Sequence, residues 1–167
     1  MSELERLLPV DRLGAGWTEY VVEAKEAECA ALAQRLGIPA VLALRVAFRL
    51  RAGRRGVVAA EGSLAARLVR ECVVTLEPFE VAVAEEFRVQ FVPAERLAEE
   101  PEDAEVDPDS DDEVGYEGQS IDLGEVAAEQ LALGLDPYPR RPGVALAEDE
   151  APTVGGAFAA LAGLRKQ

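Results

Sequence analysis

The chain contains no histidine and no asparagine. Without histidine, neither a Ser-His-Asp nor a Cys-His catalytic site can be assembled, and zinc held by imidazole is excluded. Cysteine is almost as scarce. Cys29 and Cys72 cannot close a four-thiolate zinc site, and they make no disulfide framework. In a reducing compartment such residues read as small buried hydrophobes. Carboxylates, Lys25, Lys166, the tyrosines and the thiols are left as acid–base candidates. No carboxylate pair among them has a context that separates it from solvated surface charge. Long apolar runs are absent too: none approaches the roughly 20 residues that span a bilayer. The opening MSELERLLPVDRLGAG has no basic segment followed by an apolar stretch, so it does not read as a secretory signal. The expectation is a cytoplasmic protein with no membrane partner, no cofactor and no catalytic role. Its 167 residues and 49% apolar content suit one folded core.

Negative charge is abundant, at a formal net −15, and by itself it argues against nucleic acid. Its distribution argues otherwise. Between Glu95 and Glu117 there are twelve acids and one base, Arg96. Between Ala40 and Arg70 there are seven arginines and one acid, Glu61. The acidic run has little apolar content, two prolines and no helix or strand period, which predicts a flexible loop over 94–119. Asp107, Asp109 and Asp111 have the spacing that opens a calcium loop. Asp112 then stands where that loop needs glycine, and Gly118 where it needs glutamate, so the run reads as solvated charge. Gly14 and Gly16 lack the flanking strand, third glycine and lysine of a phosphate loop.

The hydrophobic pattern predicts an α+β fold: an antiparallel β-meander, one N-terminal helix and one helix after the acidic loop. Trp17–Ala24 reads as a first strand. Glu26–Leu36 reads as a helix stopped by Gly37 and Pro39. Leu42, Leu44, Val46, Phe48 and Leu50 alternate with smaller and charged residues, a period-two strand. A hairpin turn follows at 52–56. The next strand carries Val58, Ala60, Leu64, Ala66, Leu68, Cys72 and Val74 on one parity, with Gly62 marking a bulge or bend. Glu77 and Pro78 turn the chain into a third strand bearing Val81, Val83, Phe87, Val89 and Phe91. Ser120 or Asp122 caps the later helix, with Glu125 at capping-box spacing from Asp122. Leu123, Val126, Ala127, Gln130 and Leu131 form its apolar stripe, and Gly134 and Pro137 end it. Residues 1–143 are thus expected as one domain, 144–156 as a flexible linker, and 157–167 as a short helical tail with Phe158, Leu161 and Leu164 on one side.

The strand parity puts Arg45, Arg49 and Arg51, then Arg67, then Arg88 on the face opposite the core, with Arg54 and Arg55 at the hairpin tip. Arginine offers planar paired donors suited to phosphate, and such clustering is an electrostatic footprint of nucleic-acid binding. Ordinary solvated strand charge fits the same pattern. With no aromatics interleaved, RNA bound there is expected to be read by phosphate and shape, not by base stacking.

Four segments in order carry a resemblance: ECVVTLEPFE at 71–80, the acidic run, IDLGEVAAEQLALGLDPYP at 121–139, and AFAALAGLRKQ at 157–167. Together, from about Leu36 onward, they resemble the YceD family, the bacterial large ribosomal RNA subunit accumulation proteins. The resemblance implies a ribosome-biogenesis factor supporting accumulation of the large-subunit (23S) ribosomal RNA, with precursor RNA or an early assembly particle as partner. A basic ribosomal protein held by the acidic loop before assembly is the alternative partner. The residues matching the family's motif are Cys72, Glu77, Pro78, Phe79, Asp122 and Leu123. Many members carry a second cysteine three residues after the first and further cysteine later. Here Thr75 stands at that position and no thiol follows Pro139, so no metal role is carried over.

Overall fold

The computed structural model describes residues 2–99 and 107–144. Its larger sheet has five strands in the order β2-β3-β4-β5-β6, and its smaller sheet pairs β1 with β7. The strands are β1 Leu7–Pro9, β2 Thr18–Glu23, β3 Ala40–Ala52, β4 Val58–Glu71, β5 Pro78–Pro93, β6 Asp112–Tyr116 and β7 Ser120–Asp122. The α-helices are α1 Glu26–Leu36, α2 Ala94–Leu97 and α3 Leu123–Leu133. The α+β expectation holds. β2 through β5 are antiparallel sequential neighbours, whereas β6 joins β5 in parallel and makes the sheet mixed.

The inner face of the sheet is built by alternation. Leu44, Val46, Phe48 and Leu50 of β3 are buried beside Val58, Ala60, Leu64, Ala66 and Leu68 of β4 and Val83, Val89 and Phe91 of β5. Cys29, Leu32 and Ala33 of α1 and Leu123, Val126, Ala127, Ala128 and Leu131 of α3 cover them. Each large side chain buried here contributes roughly 1.5–3 kcal/mol. The helix α1 has the bounds its sequence predicts and ends at Gly37 in the left-handed region, φ 64°.

Several expectations are corrected. A bulge between Val41 and Ala43 shifts the parity of β3, so Val41 is buried and Leu42 is exposed. Gly62 is not a bulge, because its pairing to both neighbours is continuous. It makes room instead for the Phe87 ring, which lies where a Cβ would be, 2.0 Å from its Cζ. β4 ends at Glu71, so Val74 falls in the following turn and is exposed.

The segment 94–119, expected as a loop, contains α2 and β6, and residues 100–106 within it lie outside the described residues. Periodicity could not find β6, since within an acidic run it offers only Val114 and Tyr116 as apolar positions, beside Asp112, Glu113 and Gly115. Its inward residue Val114 packs on the core opposite Phe91. The linker from 145 onward and the tail 157–167 also lie outside the described residues.

The N-terminal segment, left unassigned by periodicity, is part of the helical layer. Leu4, Leu8 and Leu13 are buried. Asp122 caps α3, its Oδ1 accepting from the amides of Gly124 (3.0 Å) and Glu125 (3.3 Å) and also from Arg6 (2.9 Å). The reciprocal arm of the capping box is not made. Glu125 accepts from the Arg35 guanidinium at 2.6 Å and from Ser2 Oγ at 3.0 Å. Glu28 joins the same layer: the Arg6 guanidinium, then the Lys25 amide, hold its carboxyl down at about 2.

Candidate nucleic-acid interface

The outer face of the sheet is uncovered over most of its area, and all seven predicted arginines are exposed. The strands do bring Arg45, Arg49, Arg51, Arg67 and Arg88 to one face, but they bring carboxylates with them. The cross-strand row Glu19, Arg49, Glu61, Arg88 alternates in sign. Arg49 pairs with Glu61 at 3.3 Å, and Arg67 pairs with Glu80 at 2.7 Å. Arg45 sits opposite Glu23. A depression of about 780 Å³ at the centre is walled by Arg45, Arg49 and Arg88 against Glu19, Glu61 and Glu86. This centre is a mixed-charge surface, and its exposed pairs contribute little to stability, ~0–1 kcal/mol each.

The hairpin end differs. Arg51, Arg54 and Arg55, like Arg45 and Arg88, have no ion-pair partner among the described residues. Arg45 and Arg88, however, stand opposite Glu23 and Glu61, whereas Arg51 stands opposite Ala59, and Arg54 and Arg55 lie in the turn. Gly53 and Val57 close the turn, Gly53 N–H donating to Val57 O at 2.7 Å, and Arg55 is held in the left-handed region, φ 57°. Two residues from the acidic segment brace it: Tyr116 Oη donates to Gly56 O, and the Arg96 guanidinium to Arg55 O.

Trp17, 38% exposed, lies against the guanidinium groups of Arg49 and Arg51, at 4.9 and 4.7 Å from its ring centroid. The sequence reading missed it as an interface residue. The sequence puts Trp17 at the start of the first strand without assigning that strand a face; β2 begins one residue later, at Thr18. The expectation of a face without aromatics is therefore corrected.

The opposite end of the sheet carries the other motif residues. Cys72 opens the turn into β5. Its amide donates to Glu77 O at 2.9 Å, and the Leu76 amide returns to Cys72 O at 2.8 Å. Pro78 begins β5, and Phe79 is half-buried behind it. The chain after α3 crosses this turn as a strap: Val73 N–H donates to Pro139 O at 3.0 Å, Arg141 N–H meets Cys72 Sγ at 3.5 Å, and the Arg141 guanidinium pairs with Glu77. Asp122 and Leu123 act in the α3 cap and the core. One thiol with a hydroxyl three residues on is no closed metal ligand set, and among the described residues no group of three His, Cys, Asp or Glu side chains is gathered.

Cys72 is fully buried, yet its thiol is pulled from 9.0 to about 6, first by the Arg141 amide and then by the Thr75 hydroxyl and amide. A depressed folded value stabilises the fold fully above the unfolded thiol's pKa, and that contribution fades as pH falls through about 6. The stability advantage of the wild-type chain over Cys72→Ala is therefore expected to grow from pH 6 to pH 9. Urea melts of both proteins across that range check it, and a pH-independent difference would leave the thiol protonated.

With the geometry in place, comparison with known proteins identifies the class. The sequence pattern of the family described as "Large ribosomal RNA subunit accumulation protein YceD" matches residues 60–164, more than half of the chain. The chain belongs to this family. The match begins inside β4, later than the resemblance near Leu36 implies, and it includes the Cys72 turn, α3 and the strap. No curated protein and no solved structure matches. Among the described residues no helix is long and apolar enough to cross a membrane.

Proposed function

We propose that this protein supports accumulation of the 23S ribosomal RNA in the cytoplasm by binding, without turnover. In this reading it contacts precursor RNA or an early assembly particle through the β3–β4 hairpin end. The family assignment supports the ribosomal context. The observation that carries the contact surface is the set Arg51, Arg54 and Arg55, exposed and without ion-pair partners among the described residues, beside Trp17. Unpaired guanidinium groups engage phosphate without first breaking a salt bridge. Arg49 and Arg67, already paired, are weaker candidates.

A second reading has its own observation. β6 lies at the sheet edge, with Asp112 and Glu113 exposed on it. An acidic edge of this kind suits a basic ribosomal protein.

One experiment separates the two. The full chain is titrated with a 23S precursor transcript, and separately with basic large-subunit ribosomal proteins, while Trp17 fluorescence is followed. Charge reversal at Arg51, Arg54 and Arg55 is expected to weaken RNA binding by about tenfold or more and to flatten its salt dependence by up to about one unit per lost contact. Arg67→Glu should bind nearly as the wild type does. Unchanged RNA binding in the triple variant rejects the hairpin contact. Loss of ribosomal-protein binding on neutralising Asp107, Asp109, Asp111, Asp112 and Glu113 would favour the acidic edge.

A further inference from the structure

The end of the sheet at Cys72 exposes apolar surface that nothing described covers. Val73 is 45% exposed, Val74 36%, Leu76 69%, and Tyr138 on the adjoining strap 71%. Leu76 adds a second peculiarity. Its backbone is left-handed, φ 59°, a conformation that favours glycine or asparagine and is strained for leucine. A turn needing only to reverse the chain has no use for an exposed leucine there.

The strap brings the rest of the chain to this place. Pro139 and Arg141 are hydrogen-bonded to the turn, and the described chain ends at Val144, whose amide bonds Arg141 O. Beyond it, Phe158, Leu161 and Leu164 recur at intervals of three, followed by Arg165 and Lys166. The intervening stretch 145–156 reaches up to ~40 Å at ~3.3 Å per residue, so distance is no obstacle. Glu71, exposed at the end of β4 beside the turn, provides a counter-charge for the basic end. The family match runs from Ala60 to Leu164, so one pattern spans both the turn and this apolar segment.

We infer that residues 157–167 of the same chain dock on the surface formed by Val73, Val74, Leu76 and Tyr138. The apolar residues of the segment cover the turn, and Arg165 or Lys166 faces Glu71. Docking shields the apolar area and offsets the backbone cost at Leu76. An isolated helix of that length is marginal in water, so turn and tail order each other.

Hydrogen exchange on the full-length protein tests this. In the wild type, amides of 73–77 and of 157–167 should both exchange well below free-chain rates. Leu161→Asp with Leu164→Asp should speed exchange at 73–77 by about tenfold or more. Leu76→Asp should do the same to the tail while leaving α1 and β3 protected. A peptide of sequence 157–167, added in trans to the tail variant, should restore protection of the turn. Tail amides at free-chain rates in the wild type, with the turn unaffected by the tail substitutions, would overturn the inference. So would turn protection that vanishes on dilution, because a second copy would then be the occupant.

Discussion

Gly124→Ala is expected to cost at least ~3 kcal/mol of stability. Gly124 lies in the first turn of α3, and the N-terminal segment crosses directly over it. A Cβ there would sit 1.4 Å from Leu4 O and 2.5 Å from Leu4 C. These are backbone atoms, so no rotamer change relieves the overlap. The segment must lift, and several contacts go with it. Leu4 is completely buried, Arg6 N–H donates to Asp122 at 2.9 Å, and Leu123 N–H donates to Arg6 O at 3.0 Å. Exposing Leu4 alone forfeits ~2–3 kcal/mol of burial. Equilibrium urea unfolding measures the loss. A destabilisation below ~1 kcal/mol would mean that the N-terminal segment does not pack over α3.

Gly62→Ala should cost ~2 kcal/mol, and Phe87→Ala should partly rescue it. Phe48, Gly62 and Phe87 lie in one cross-strand row. The Phe87 ring covers Gly62 and meets Phe48 edge-on, with centroids 5.7 Å apart and planes at 77°. A methyl at 62 would fall 2.0 Å from Phe87 Cζ and displace the ring from that contact. Phe87→Ala alone leaves a hole over the glycine. In the double variant the new methyl occupies part of that hole. The combined loss should therefore fall short of the two single losses added together, by ~1 kcal/mol. Additive losses in a double-mutant cycle would show that the ring does not rest on Gly62.

The two glycines also separate what was legible from what was not. Gly62 stood out in a period-two strand, but a strand glycine is compatible with a bulge, a bend or an aromatic neighbour. The choice was made by Phe87, which is distant in sequence and opposite in register. Gly124 looked like any helical glycine, since the segment above it is more than a hundred positions earlier. The arginines were legible as one face because alternation is local. Their ion pairs were not, because Glu61 and Glu80 each stand on the strand next to that of the arginine they pair with. Trp17 and β6 were missed for related reasons: the face of Trp17 is set by its pairing with arginines on β3, and β6 has only Val114 and Tyr116 as apolar residues within an acidic run.

What the sequence determined by itself was everything set by local chemistry. It determined the bounds of α1, the inward residues along most of β3, β4 and β5, a cap at Ser120 or Asp122, the segregation of charge and the family pattern. The helix bounds, the inward residues and the cap depend on neighbours a few positions away, where helix and strand periods act. The tertiary structure decided which arginines remain unpaired, that the Arg141 amide of a distant strap reaches Cys72, and that the first residues close the core. These follow from strand register and from chain crossing between remote segments, and no local period encodes them.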